Sequence, residues 1–550
     1  MNAQEAAAVT IETEIKGQSV QSGIAIGPVF AWCKKKPVIV PDKSPDPDAE
    51  WDSFCKAREE AIGDLQEMGR IAEEKLGEEQ AMIFSVHEML LLDADFEDAV
   101  SALIRDEHFN ASYAVHKAGR DLADFFAAME DNDYMRERAA DFQNIADRVI
   151  AKLQYITETP VLPDEPVIFL ADDLSPSETI GLDTTKILAF VTAGGSVQSH
   201  TAILARSLGL PTIVHTGIAV SEEYDGREGI VDGRNGCFYV DPSAELLSRM
   251  KEEQRAEEHE KEELKQLIGQ KAVTGSGKSI RLYANAAGVE DVERALTQDA
   301  EGIGLFRSEF LYLGREDYPT EDEQFESYKE AAQLMQGKEV IIRTLDIGAD
   351  KQAGYFGIEK EENPALGLRA IRICLTRPEI FVTQLRAIYR ASAFGTVSIM
   401  FPMITSVEEV DRILEITEEV KAALSQEGIP TGEVKLGIMI ETPAAALISD
   451  LLAEKVDFFS IGTNDLTQYT LAMDRQNAAL SEFMNPYHEA LKRLIEMTVK
   501  NAHEKNTTVG ICGELGADPK MTAFFLSVGV DELSVSASRI LALKKQIREM

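Results

Sequence analysis

The segment Gly194-Gly195-Ser196-Val197-Gln198-Ser199-His200-Thr201-Ala202-Ile203-Leu204-Ala205-Arg206 sets a histidine at a turn between a glycine pair and an amphipathic helix. Free backbone N–H groups and the positive end of the helix dipole favour an anion at such a position. Neutral imidazole is a competent nucleophile near pH 7, so a phosphoryl group can be accepted and held there. A lone histidine in this setting is usually a structural helix-start residue. What changes the reading is a second set of groups downstream that can supply the phosphoryl group.

Arg307 and Arg343 present forked donors suited to phosphate and carboxylate oxygens. Glu441 and Asp465 match a magnesium site, in which one or two carboxylates are completed by waters and a substrate phosphate. Asn464 can donate to the phosphate, and Arg475, in Met473-Asp474-Arg475, can close over it. A small substrate carrying both a phosphate and a carboxylate would engage all of these groups. Loss of its phosphoryl group leaves an enolate-like centre, and Cys512 can protonate that centre, because an unperturbed thiol titrates near ~8.5 and keeps its proton at neutral pH. The structural alternatives are arginines held in ion pairs and a cysteine serving as a small core residue.

These groups need a scaffold that gathers them. From residue 273 onward, eight β-like runs occur at 280–285, 302–307, 339–345, 397–401, 434–440, 456–461, 508–512 and 531–535, most of them separated by helical patterns. Eight βα units predict a TIM barrel, whose chemistry lies at the C-terminal strand ends. The second run ends at Arg307, the third carries Arg343 and the fifth leads into Glu441; the sixth leads to Asn464-Asp465, and the seventh ends at Cys512.

The first half reads as a small α/β phosphohistidine domain, residues 1–45 and 156–245, interrupted by a helical bundle at 46–155. Its strands are expected at Ile11–Ile15, Gly23–Phe30, Val167–Leu170, Ile187–Val191 and Pro211–Val214, with a helix starting within Asp173–Thr179. Between Pro47 and Pro160 there is no proline, and apolar residues such as Met82, Val86, Met89 and Leu90 recur at helical spacing. A highly charged stretch, 246–267, predicts an exposed connecting helix within a linker at 246–272, with hinges near Pro242 and Gly275. The fold class is therefore multidomain α/β: a phosphohistidine domain with an inserted bundle, a linker helix and a C-terminal (β/α)8 barrel at 273–550.

The formal charge of −40 argues against nucleic acid or an anionic membrane as the main partner. The five cysteines, Cys33, Cys55, Cys237, Cys374 and Cys512, form no C-x-x-C pair, so neither zinc nor a disulfide framework is indicated. No signal segment and no run of ~18 apolar residues is present, so membrane insertion is not expected and a cytoplasmic location is.

Taken as whole motifs, the chain closely resembles enzyme I of the bacterial sugar phosphotransferase system, the phosphoenolpyruvate–protein phosphotransferases. The motifs are Ser-Gly-Ile-Ala-Ile-Gly from Ser22, Ser-His-Thr-Ala-Ile-Leu-Ala-Arg from Ser199, Gly-Leu-Phe-Arg-Ser-Glu-Phe-Leu from Gly304 and Arg-Thr-Leu-Asp-Ile-Gly-Ala-Asp-Lys from Arg343. Glu-Asn-Pro-Ala-Leu-Gly from Glu362, Ile-Glu-Thr-Pro-Ala-Ala from Ile440, Phe-Phe-Ser-Ile-Gly-Thr-Asn-Asp-Leu-Thr-Gln-Tyr from Phe458 and Cys-Gly-Glu from Cys512 complete the set.

The resemblance implies that His200 is phosphorylated at Nε2 and that Thr179 orients it. It implies that Arg307, Arg343, Asn464, Asp465 and Arg475 bind phosphoenolpyruvate, that Glu441 and Asp465 hold Mg2+, and that Cys512 protonates the enolate. It further implies that the bundle docks the phosphocarrier protein HPr, with the acidic residues Glu59, Glu60, Glu67, Glu73, Glu74 and Glu78 steering it, and that the barrel forms a homodimer. One departure stands out: the family's Gly-Gly-x-Thr-Ser-His is replaced by a stretch with four residues between Gly195 and His200, and Gln198 stands where the threonine would be. The neighbouring families differ elsewhere. A pyruvate,phosphate dikinase or phosphoenolpyruvate synthase needs a large nucleotide-binding region, and the first 160 residues here show no phosphate-cradling glycine loop. A nitrogen-related paralogue carries an upstream sensory domain, for which no room is expected here. A catalytically silent HPr-binding scaffold would not need the barrel constellation.

Overall fold

A computed structural model describes residues 13–33, 37–76, 78–127, 133–156, 160–174, 178–179, 182–197, 199–315, 317–348, 354–359, 361–475, 477, 480 and 482–550. The chain divides into two compact units, Met1–His259 and Glu260–Met550.

In the first unit, eight strands form one sheet: β1 (Thr13–Lys16), β2 (Gln18–Gln21), β3 (Ile24–Trp32), β4 (Val167–Ala171), β5 (Ile187–Thr192), β6 (Thr212–Val214), β7 (Glu228–Asp232) and β8 (Cys237–Val240). Their order is β1-β8-β7-β3-β4-β5-β6-β2. β3 to β6 run parallel, whereas β7, β8, β1 and β2 pair antiparallel. β4 is buried along its whole length, which explains its unbroken apolar run Val-Ile-Phe-Leu-Ala. The expected first strand begins at Ile11, which lies outside the described residues; β1 is observed from Thr13 to Lys16. Of the expected helix start at Asp173–Thr179, Glu178 and Thr179 are helical, and Ser175 to Ser177 lie outside the described residues.

Helices Pro47–Leu76, Glu78–Leu91, Ala94–Ser101, Ala111–Ala127 and Asp133–Leu153 occupy the segment between β3 and β4. The first helix buries Phe54, Ala57, Ala61 and Leu65, a stripe at helical spacing. At Gly119 any Cβ would meet the Ala146 Cβ at 2.5 Å, so glycine is what lets helices Ala111–Ala127 and Asp133–Leu153 approach so closely. The expected apolar stripe of the second helix is turned: Met89 is exposed and Val86 only half-buried, while Phe84, His87 and Leu91 face inward. His87 is tolerated there because its Nε2 lies 3.2 Å from Asp141 Oδ1.

The charged helix runs from Ala244 to Lys265. It is not exposed throughout as its composition suggests. Leu246 and Met250 are buried against Ile24 and Ile230 of the sheet. Arg234, on the β7–β8 turn, bonds Glu253 at 2.5 Å and Glu257 at 3.1 Å. The start of this helix is thus fastened to the sheet beyond Pro242, where the sequence suggests a hinge.

The second unit is a closed, all-parallel barrel of β9 (Arg281–Ala286), β10 (Ile303–Arg307), β11 (Val340–Arg343), β12 (Val397–Phe401), β13 (Lys435–Ile440), β14 (Phe458–Ile461), β15 (Thr508–Ile511) and β16 (Glu532–Ser536). All eight expected strands are present, the third ending at Arg343 rather than residue 345. Strand periodicity of two sorts the side chains. Ile342, Ile438, Ile440, Phe459, Ile461, Val509 and Ile511 join the large apolar layer beneath the helices. Leu305, Ile341, Met439, Phe458 and Cys512 join Tyr283 and Met400 in the barrel interior. No described helix is long and apolar enough to cross a membrane.

Candidate active site

The barrel's alternation places the chemistry. On β10 and β11 the interior residues Leu305 and Ile341 are each followed, two positions on, by an arginine, Arg307 or Arg343. On β13 the interior Met439 is followed at the same spacing by Glu441. Each polar residue therefore caps an apolar interior column at the C-terminal mouth. Arg307 and Arg343 are direct neighbours in the β10–β11 register.

Leu305, Arg307, Arg343, Asn464, Asp465, Arg475 and Cys512 line one cavity of about 410 Å³. Arg343 is 6% exposed, its fork bonded to Glu309 Oε1 at 2.5 Å and to Asp346 Oδ2 at 2.9 Å. Burial opposes its charge, but Glu309, Asp346 and Glu441 outweigh burial and hold it protonated. The second oxygen of Asp346 binds Arg369 at 2.8 Å, so one carboxylate fixes two guanidinium groups. The Nε–H groups of Arg343 and Arg369 are both buried without a hydrogen-bond partner. Unsatisfied buried donors of this kind are costly unless an acceptor arrives, and an anionic substrate supplies acceptors.

Glu441 is 1% exposed. Its Oε1 accepts from the Met403 amide at 2.6 Å, while Oε2 has no hydrogen-bond partner, as is also true of Asp465 Oδ1. Burial, with Asp465 and Asp346 close by, pushes Glu441 above the usual carboxylate range. At Gly462 a Cβ would come within 3.0 Å of Glu441 Oε2 and 2.8 Å of the Met439 methyl, so the glycine keeps the space around that oxygen open. Two orphaned carboxylate oxygens with mutual repulsion and clear space beside them fit a divalent cation, which would offset both charges.

Asn464 and Asp465 lie in the first turn of helix Thr463–Leu471, where amide N–H groups face an anion. The Asn464 side chain is engaged: Oδ1 accepts from the Glu514 amide at 3.1 Å and Nδ2 donates to Glu514 Oε1 at 3.3 Å. Arg475 is the exposed member, with 41% of its side chain accessible and its guanidinium 3.9 Å from Asp465 Oδ1. Cys512 is 4% exposed, and burial pushes its thiol up to about 11 against the pull of Ser460, Arg343 and Arg307. It therefore keeps its proton throughout the neutral range.

In the other unit, His200 is the first residue of helix His200–Leu208, and its side chain lies outside the described residues. Ser199 caps that helix, its Oγ accepting from the Ala202 amide at 3.3 Å. The longer approach from Gly195 is closed by a bond from the Ser199 amide to the Ser196 carbonyl at 3.0 Å, and Arg206 reaches back to the Val197 carbonyl at 2.6 Å. Gln198 lies outside the described residues. Thr179 is buried, and its neighbour Glu178 accepts from the Trp32 indole at 3.5 Å.

Glu309, Asp346 and Arg369 are site residues that residue-by-residue reading missed. Asp346 follows Arg343 by three within the quoted Arg-Thr-Leu-Asp motif, and Arg369 lies just after Glu-Asn-Pro-Ala-Leu-Gly. Those motifs were the available signal. The left-handed backbone of buried Ala370 (φ 51°), which sets the exit from Arg369, has no sequence signature.

Residues 261–550 match the family described as PEP-utilising enzyme, PEP-binding domain; 16–138 match its N-terminal domain and 163–236 its mobile domain. The chain is 41% identical over 539 residues to a phosphoenolpyruvate-protein phosphotransferase of Priestia megaterium, covering 98% of this chain and 94% of that one. It is likewise 41% identical over 547 residues to the protein of that name from Geobacillus stearothermophilus, covering 98% and 93%.

Proposed function

The chain belongs to the phosphoenolpyruvate-utilising enzymes, among the phosphoenolpyruvate–protein phosphotransferases, and we propose that it carries the phosphoryl group through His200 to the histidine of HPr. In this reading Arg307 and Arg343 grip the substrate phosphate, with Asn464, Asp465 and Arg475 completing the pocket. The observation that carries the reading is the pair of orphaned oxygens on Glu441 and Asp465 beside two charged arginines and a protonated thiol.

The lone pair of a neutral His200 imidazole nitrogen, Nε2, forms the P–N bond as the P–O bond to the enolate oxygen breaks. The enolate collapses to a ketone by taking a proton at carbon from Cys512 Sγ–H, giving pyruvate, and the thiolate regains a proton from water. Buried Arg343 and half-buried Arg307 hold the transferring group in place and need no reorganisation as charge shifts. Mg2+, held by Glu441 and Asp465, would neutralise charge on the phosphate oxygens. Thr179 orients the histidine.

HPr is the acceptor in this proposal and docks on the helical bundle, where Glu59, Glu60 and Glu67 are exposed; the side chains of Glu73, Glu74 and Glu78 lie outside the described residues. The domain boundaries given above, a homodimer through the barrel and a cytoplasmic location belong to the same proposal. Incubation with labelled phosphoenolpyruvate, magnesium and HPr tests it: label should reach HPr, and His200→Ala should stop it. Label on HPr in the His200→Ala variant would sink the phosphohistidine route.

A further inference from the structure

Behind the two phosphate-gripping arginines lies a set of polar side chains sealed from solvent. Gln384, on helix Pro378–Ala391, is 0% exposed, and so is Ser308, the residue after Arg307. Gln384 Oε1 accepts from the Leu345 amide at 2.9 Å, two residues beyond Arg343. Its Nε2 donates to Ser308 Oγ at 2.9 Å and to the Tyr328 hydroxyl at 3.1 Å. Ser308 Oγ in turn donates to the Arg343 carbonyl at 2.6 Å. The Tyr328 hydroxyl passes its hydrogen to Gln324 Oε1 at 3.2 Å, and the Tyr312 hydroxyl reaches the same oxygen at 3.1 Å. Gln324 Nε2 closes the chain on the Pro319 carbonyl at 3.1 Å.

Each hydroxyl in this path has an acceptor, both N–H groups of the Gln384 carboxamide are used, and the polarity runs in a consistent sense from the Leu345 amide outward. Networks of this kind strengthen when fully satisfied and fix a single arrangement. The placement is specific. One carboxamide ties the chain just after β10 and just after β11, where Arg307 and Arg343 project into the cavity. β-Ladder pairing sets the register of the two strands, but it stops at Arg307 and Arg343. Beyond that point the Ser308 hydroxyl bridge and the Gln384 carboxamide hold the two strand ends together, alongside the ion pair of Arg343 with Glu309.

We infer that Gln384 is a positioning residue for phosphoryl transfer, setting the spacing of Arg307 and Arg343 through Ser308 and the Leu345 amide. It touches no substrate and acts only through the arginines. The inference rests on the reading that these two arginines hold the substrate phosphate.

The test is a double-mutant cycle on the full-length enzyme, with kcat and KM for phosphoenolpyruvate-driven pyruvate formation measured with HPr in excess. Gln384→Met keeps the volume and removes all three hydrogen bonds. It should lower kcat/KM by about 10- to 100-fold, as expected when reacting groups are misplaced by around an ångström. On an Arg307→Lys background the same change should cost only about 2- to 3-fold, because the geometry it protects has already been lost. If Gln384→Met does not fold, Ser308→Ala takes its place in the cycle, removing the bridge to the Arg343 carbonyl and the acceptor of one Gln384 N–H. A substitution that merely loosens the barrel would lower the melting temperature and reduce kcat/KM by the same factor on both backgrounds; that result overturns the inference. No change in kcat/KM for Gln384→Met overturns it as well. Arg307→Lys separates this from the underlying reading: if that variant alone has the parent kcat and KM, the arginine assignment is wrong, whatever Gln384 does.

Discussion

In the barrel, Arg343 is closed in by Glu309 and Asp346, Asp346 also holds Arg369, and Glu441 sits buried on the Met403 amide. Around His200 the described ties include a serine cap, a four-residue turn and one arginine reaching back to a carbonyl. The first region carries charge in low dielectric and is fixed from several sides before a ligand arrives. The second is a helix start whose described ties include bonds within about ten residues, with Gly194 before the turn bonded to Asp172 and His215. The contrast matches the two tasks of the proposed function. A charged substrate must be gripped and desolvated in one geometry, whereas a group that accepts a phosphoryl and then surrenders it must meet two partners.

The comparison breaks first, and with the largest effect, at the carboxylates. Glu441→Gln should lower phosphoenolpyruvate-driven phosphorylation on the order of 10²–10³-fold at ordinary magnesium concentrations, the scale of losing one strong electrostatic stabiliser. Chelating the divalent cation should do the same to the parent enzyme. A magnesium titration of initial rate in both proteins checks this, and identical curves would remove Glu441 from the cation site.

Cys512→Ala should slow pyruvate formation by about 10²-fold. The parent enzyme also predicts a direction in pH. The thiol is pushed up to about 11, so the protonated donor persists as pH rises and is lost only on approaching that value. The alkaline limb due to this group should therefore fall near 11 rather than the ~8.5 of a free thiol. A rate profile at saturating substrate tests it, and an alkaline limb near 8.5 that vanishes in Cys512→Ala would contradict the burial argument.

At the His200 turn a local break should stay local. Ser199→Ala removes the helix cap and should cost about 1 kcal/mol in the stability of the first unit. KM for phosphoenolpyruvate should not move, since the cavity is built wholly from the second unit. Calorimetry and steady-state kinetics on one preparation give both numbers; a raised KM with unchanged stability would mean the turn shapes substrate binding.

The smallest effect belongs to the bundle. Reversing Glu59, Glu60 and Glu67 to lysine should slow association with HPr by about 3- to 10-fold at low salt and flatten its salt dependence. Stopped-flow rates at two ionic strengths measure it, and unchanged rates would move the docking surface elsewhere.

The strands of the barrel were legible because buried parallel strands read as short apolar runs, and the functional residues stood at their ends. Arg307, Arg343, Glu441 and Cys512 could be picked out for that reason. Asp346, Arg369 and Glu309 act by pairing across loops, and Gln384 acts from a helix about 40 positions beyond Leu345; such pairings leave no periodic trace. The burial of Leu246 and Met250 was hidden by the charge around them. Only two apolar residues in the first turns of the helix were needed to fasten it to the sheet, too few to alter its overall composition.

In the proposed function the barrel's chemistry ends on one histidine of the other unit. Mixing the enzyme with phosphoenolpyruvate and magnesium in the absence of HPr, quenching in base, and counting pyruvate against mapped phosphate tests it directly. One pyruvate released per chain and one acid-labile phosphate per chain are expected, with that phosphate on His200 alone. Continued pyruvate release without an acceptor, or phosphate on any other residue, would contradict it.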